Sequence, residues 1–189
     1  CLKMLDTYGV KGTFFTPSYV LEHYPEAAAA IHKAGHEIAY HGILHEPERY
    51  NSREDESAKM EQAESVIERL TGRRPAGHRA PHSTLHPEAF SLMRERGYLY
   101  SSNLRDCDYA YLHEAEAGES PLVELPTDVV LDDFTYYYYS CAIEPGHRIA
   151  FTNREYINML REEFDGVAAE GDKIMVLKFH PCLLYTSPS

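Results

Sequence analysis

Gly35-His36-Glu37-Ile38-Ala39-Tyr40-His41-Gly42-Ile43-Leu44-His45 decides the fold class of this chain. Gly35 closes an amphipathic stretch that opens near Pro25, and Glu37 to Tyr40 follows as a short apolar run of strand length. A helix passing into a strand through one glycine is half of a βα unit. Gly42 permits a tight turn directly after the strand. His41 and His45 therefore belong to its carboxyl end, where α/β barrels build their sites.

Working outward, the same alternation recurs. Strand candidates are Gly12 to Phe15, Ala76 to Arg79, Tyr98 to Ser101, Leu122 to Leu125 and Ile174 to Phe179, six with Glu37 to Tyr40, which argues a parallel sheet or barrel. Leu2, Met4 and Leu5 before Tyr8-Gly9 read as a helix at the start. Ser52 reads as an N-cap with Glu54, Asp55 and Glu56 in the first turn, and Met60, Ala63, Ile67 and Leu70 form the stripe that helix buries. A third helix runs from near Pro87 to Gly97. The last runs from Thr152 to about Glu170, with Thr152 and Glu155 as a capping box and Tyr156, Met159, Leu160, Phe164 and Val167 as its core face. Asp106 to Gly118 and Asp128 to Arg148, with Tyr136, Tyr137, Tyr138 and Tyr139, lack clean periodicity. They read either as loops over one face or as a Tyr-rich surface strand.

The 189 residues, 43% hydrophobic and 25% charged, fit one globular domain and exclude disordered and fibrous classes. With 18 Lys+Arg against 30 Asp+Glu the formal charge is −12, which argues against nucleic acid and anionic membrane surfaces as partners. Cys1, Cys107, Cys141 and Cys182 form no CxxC pair and read as free thiols, and no apolar run suggests membrane insertion.

Four histidine pairs at spacing four occur: His32/His36, His41/His45, His78/His82 and His82/His86. Chance placement of 11 histidines gives about 0.6. Gly35 separates the first pair, Pro81 and Pro87 punctuate the other two, and His41/His45 follows the apolar strand Glu37 to Tyr40. Surface exposure accounts for two loop histidines equally well until a second feature is weighed. That feature is Arg79 at the end of one strand and His180 at the end of the last, which in a barrel would face the same pocket.

Taken in order, Lys11-Gly12-Thr13-Phe14-Phe15, Gly35-His36-Glu37-Ile38 with His41 to His45, Gly72-Arg73-Arg74-Pro75 leading to Arg79-Ala80-Pro81, and Leu177-Lys178-Phe179-His180-Pro181 resemble the polysaccharide deacetylase family with the NodB homology domain. Tyr100 to Tyr109, Glu124-Leu125-Pro126 and Leu131-Asp132-Asp133-Phe134 resemble its peptidoglycan deacetylase-like and allantoinase-like branch. The resemblance implies an α/β fold, a distorted (β/α) barrel, and a divalent metal, usually zinc, held by one Asp and by His41 and His45. It implies a second Asp as base, Arg79 to orient that base and His180 to protonate the departing nitrogen. The bottom-up chemistry agrees, since two imidazoles and a carboxylate leave positions open for water. The implied substrate is an amino sugar polymer or a small cyclic amide. Pro81, Asp106, Asp108, Asp132 and Asp133 are candidate substrate contacts, and a non-catalytic metal- or carbohydrate-binding relative is the reading from another class.

The family's first motif, a strand ending in paired aspartates, would lie upstream of the opening helix, and Asp6 sits inside that helix. The expectation is a fragment lacking its first strand, with residues 1–181 as the NodB-like domain. Residues 182–189 resemble translated adapter sequence at the end of a metagenomic reading frame, a non-native tail. The branch points to a prokaryotic origin, and together with the thiols it favours the cytoplasm.

Overall fold

The computed structural model describes residues 1–45, 52–115, 117–137, 152–181 and 183. Two compact units divide them, Cys1–Asn103 with Leu112–Glu124, and Leu104–Tyr111 with Leu125–Ser189. In chain order the first eleven elements are α1 (Leu2–Thr7), β1 (Thr13–Thr16), α2 (Ser18–His23), α3 (Pro25–Lys33), β2 (Glu37–Tyr40), α4 (Arg53–Thr71), β3 (Gly77–His78), α5 (Ala89–Glu95), β4 (Tyr100–Ser101), β5 (Tyr111–Leu112) and β6 (Val123–Glu124). The strand order is β1-β2-β3-β4-β6-β5. The pairs β1/β2, β2/β3, β3/β4 and β4/β6 are parallel, so each needs a crossover connection, supplied by α2 and α3, by α4, by α5 and, for the last, by the segment that holds β5. This is the α/β arrangement expected from the alternation.

α4 shows how the sequence builds a crossover. Ser52 Oγ accepts the Asp55 N–H at 3.2 Å, and Gly72 takes a left-handed φ of 78° to close the other end. Met60 and Ala63 join Tyr40, Leu92, Met93, Tyr98 and Leu122 in one buried cluster, while Val66 and Ile67 join Leu21, Ala28 and Ile38 in another. One helix thus serves both clusters, and each large side chain fully buried there contributes about 1.5–3 kcal/mol. Leu70, expected in the core, is partly buried against the second cluster.

Gly77 is fixed by a neighbour on β4. A Cβ at this position would lie 2.0 Å from Tyr100 Cζ, inside the ring. The Tyr100 hydroxyl donates to Glu37 Oε2 at 2.8 Å, and Thr13 Oγ1 donates to the same oxygen at 2.7 Å, so the ring ties β4 to β2 and β1. Burial pushes the Tyr100 phenol upward, keeping it a donor. Gly77→Ala should lower stability by about 1–3 kcal/mol, because it must displace a hydrogen-bonded ring. Chemical denaturation checks this; a midpoint equal to wild type would mean the ring moves freely.

The second unit carries α6 (Asp133–Tyr137) and α7 (Asn153–Glu170). The Thr152/Glu155 capping box forms as expected, with Glu155 N–H to Thr152 Oγ1 at 3.2 Å and Thr152 N–H to Glu155 Oε2 at 2.8 Å. The core face of α7 does not form as expected: Tyr156 is buried, but Phe164 is 58% exposed and Met159, Leu160 and Val167 are half-buried. An apolar stripe buries only against a covering layer. Beside this one the described residues place Met175 and Leu177. The strand expected over Ile174 to Phe179 reduces to one parallel bridge, Asp132 to Lys178. β5 and α6 fall in segments expected to be irregular. Tyr138, Tyr139, Cys141, Cys182 and all of the 182–189 tail except Leu183 lie outside the described residues. Cys1 and Cys107 are free thiols, and no helix among the described residues is long and apolar enough to cross a membrane.

Candidate functional site

His41 leaves β2 at its carboxyl end, and Gly42, at φ 72°, turns the chain sharply behind it. The start of α2 fixes this turn: Ser18 N–H donates to Gly42 O at 3.0 Å and Tyr19 N–H to Ile43 O at 3.1 Å. The His41 and His45 rings lie 5.1 Å apart, centre to centre. Two imidazoles on one tetrahedral zinc, with Zn–N of about 2.0–2.1 Å and ring centres about 1.1 Å beyond the nitrogens, have centres about 5.2 Å apart. The donor set fits. His41 Nδ1 also sits 2.7 Å from the Arg79 carbonyl oxygen, so it carries the proton and leaves Nε2 as the ligating lone pair.

Arg79 follows β3. Its guanidinium stacks 4.2 Å over the Phe15 ring and donates to Ser102 O at 3.1 Å and Ser102 Oγ at 2.7 Å. These contacts hold a cation in one orientation at the same end of the sheet as His41. Pro81 is buried at the start of a single 3₁₀ turn, Pro81–Ser83.

Beneath these residues runs a buried polar network. Asn103 Oδ1 accepts the Ala80 N–H at 2.7 Å, and Asn103 Nδ2 donates to His78 O at 3.1 Å and Ser101 Oγ at 2.8 Å. Glu124, fully buried, accepts the Asn103 N–H at 2.7 Å and pairs with His113 Nε2 at 2.8 Å. His78 stacks on Tyr40 with ring centres 4.6 Å apart. Burial first, then the charge of His41, pushes its pKa down to about 3, so it stays neutral at neutral pH. The sequence reading holds Asn103 and Glu124 within branch motifs but assigns them no role, because a polar residue near a short strand end carries no periodic signal. Their hydrogen bonds fix the backbone that carries Arg79 and Pro81.

In the second unit His180 meets two aspartates. Asp133, fully buried, accepts the His180 N–H through both carboxylate oxygens at 3.0 and 2.9 Å and faces His180 Nδ1 at 2.7 Å. Asp132 Oδ2 takes the Lys178 ammonium at 2.5 Å, and its Oδ1 lies 3.5 Å from His180 Nδ1. Asp132, Asp133 and His180 are near enough to share a metal. Lys178 already supplies the cation there, so the group reads as an ion network that orients His180. Asp106 accepts the Tyr111 hydroxyl at 2.7 Å, and Asp108 pairs with Lys173 at 2.5 Å, a hydrogen bond that lowers its pKa. Both hold their own loop together. The structure therefore gathers His41, His45 and Arg79 in the first unit and His180, Asp132 and Asp133 in the second.

Parallel strands whose carboxyl ends present paired imidazoles and a fixed arginine define an α/β protein with its candidate site at that end of the sheet. The polysaccharide deacetylase family model matches residues 1–101, and the chain belongs to that family. It is 34% identical over 131 residues to a peptidoglycan deacetylase-like protein of Gibberella zeae, covering 68% of this chain and 37% of that protein. Among solved structures it is similar to a Mycobacterium smegmatis protein of the polysaccharide deacetylase kind, at TM-score 0.85 and 34% identity, covering 96% of this chain and 62% of that one. An allantoinase shares the fold at TM-score 0.82 and 24% identity, over 98% of this chain and 60% of that one. The fold is thus the α/β fold of NodB-type deacetylases, and the chain spans little more than a third of the Gibberella zeae relative's length.

Proposed function

We propose that this chain is part of a metal-dependent hydrolase that removes acetyl groups from an N-acetylated amino sugar polymer such as peptidoglycan. The observation that carries the reading is His41, with Nδ1 on the Arg79 carbonyl and its ring at ligand-pair distance from His45. A divalent ion held there, zinc by its donors, supplies when bound a Lewis acid for the amide carbonyl and an acidified water.

The chain's own residues do the rest. Arg79, clamped by Ser102 and Phe15, is suited to orient a carboxylate base. His180 gives its Nε2 proton to the departing nitrogen as the C–N bond breaks, releasing acetate and a free amine. Asp133 at Nδ1 leaves Nε2 as the working atom. Asp132 and Asp133 form the one Asp-Asp pair in the sequence, and Asp6 lies inside α1. The reading leaves the metal-binding and base carboxylates unassigned among the described residues.

The test loads zinc into the full-length protein and offers N-acetylglucosamine oligomers and, separately, a cyclic amide. Acetate release at enzymatic rates supports the reading. Ring opening without acetate release makes the protein a cyclic amide hydrolase, and stoichiometric metal with neither reaction makes it a binding relative; both outcomes overturn it.

A further inference from the structure

We propose that Asn103 is a positioning residue for the candidate site: it pins the Arg79–Ala80 peptide, and that peptide holds His41 as the tautomer whose Nε2 carries the lone pair. This rests on reading His41 as a metal ligand. One peptide group is gripped at both ends. The Arg79 carbonyl oxygen lies 2.7 Å from His41 Nδ1, and the Ala80 N–H of the same peptide donates to Asn103 Oδ1 at 2.7 Å. A trans peptide is planar with its N–H and C=O pointing opposite ways, so fixing the N–H on one side fixes the carbonyl on the other. The Arg79 N–H is already tied to Tyr40 O at 3.0 Å. Rotation between the Arg79 Cα and its carbonyl carbon is then the motion that would swing the oxygen away from His41, and Asn103 blocks it.

Asn103 is itself held on several sides. It is buried, and its amide orientation follows from its partners: a backbone N–H can only donate, so the atom facing Ala80 is the oxygen. Nδ2 donates to His78 O at 3.1 Å and Ser101 Oγ at 2.8 Å, and faces His78 Nδ1 at 3.1 Å. The Asn103 N–H donates to Glu124 Oε1 at 2.7 Å, and Glu124 Oε2 meets His113 Nε2 at 2.8 Å. The His113 ring packs on Phe90 with ring centres 4.2 Å apart. A continuous chain therefore runs from His113 through Glu124, Asn103 and the Arg79–Ala80 peptide to His41, all within the first unit. Tying the ends of β3 and β4 together needs only the Nδ2 bonds. The Oδ1 bond falls on the peptide whose carbonyl meets His41, and a hydrogen bond at the non-ligating nitrogen fixes the ring and raises the basicity of the other.

The experiment records heteronuclear NMR spectra of the full chain without metal, then titrates zinc. In wild type the His41 proton should sit on Nδ1, and couplings across hydrogen bonds should link Ala80 N to Asn103 Cγ and His41 Nδ1 to the Arg79 carbonyl carbon. Their absence overturns the proposal with no variant needed. Asn103→Ala removes the oxygen and should shift the His41 tautomer ratio roughly 10-fold toward Nε2–H. Zinc affinity should fall with it, by roughly 10-fold or more. Asn103→Asp keeps an oxygen for the Ala80 N–H and loses the donors to His78 and Ser101, so it should melt below wild type yet keep the wild-type tautomer. A role confined to holding the fold lowers the melting temperature of both variants and changes the tautomer in neither; that result overturns the proposal. Equal tautomer shifts in both variants overturn it too, as does a shifted tautomer with wild-type zinc affinity. If wild type binds no zinc while the tautomer follows Asn103, the metal-ligand reading of His41 has failed and its positioning by Asn103 stands.

Discussion

Replacing His41 or His45 by alanine should abolish stoichiometric zinc or cobalt binding while leaving the fold in place. His41 is half-buried and His45 exposed, both on a turn whose carbonyls are held by the start of α2, so neither imidazole is part of a hydrophobic cluster. Their removal costs little packing. Binding is another matter, since each would supply one donor and, among the described residues, no group of three close donor side chains includes either of them. Loss of a residue that merely orients a ligand lowers affinity roughly 10–100-fold, and loss of the ligand itself exceeds that. Metal content after dialysis, read by elemental analysis against the melting temperature, checks it. Full occupancy in either variant would remove the site.

What the sequence made legible was the part with short-range signals. Glu37 to Tyr40 is a strand residue for residue, because an apolar run between Gly35 and Gly42 has one register available. Ser52, Thr152 and Glu155 cap as their spacing demands. β3 and β4 are shorter than the runs Ala76 to Arg79 and Tyr98 to Ser101, since propensity marks a segment and partners decide how much of it pairs. The face of α7 failed for the same reason: a period of 3.6 says which residues could be buried, not what arrives to bury them. Least legible were Asn103 and Glu124. They act through hydrogen bonds to residues 21 to 25 positions away.

His180→Ala should lower turnover of the full-length, metal-loaded protein by roughly 10²-fold or more while metal content stays at wild type. The separation follows from the surroundings of His180. Its partners are Asp133 at Nδ1 and, farther off, Asp132, which Lys178 also pairs, so its removal leaves no ligand missing from the His41 and His45 group. Asp133→Asn gives a graded companion. The amide cannot accept through both positions from the His180 N–H and ring as the carboxylate does, and a buried polar group left without its partner costs about 1–3 kcal/mol. Turnover should therefore fall together with thermal stability in Asp133→Asn, but fall without it in His180→Ala, whose ring is 30% exposed and whose backbone N–H keeps its bonds to Asp133. A His180→Ala protein that loses its metal would make His180 a ligand, and one that keeps full turnover would leave the departing nitrogen to find its proton from water.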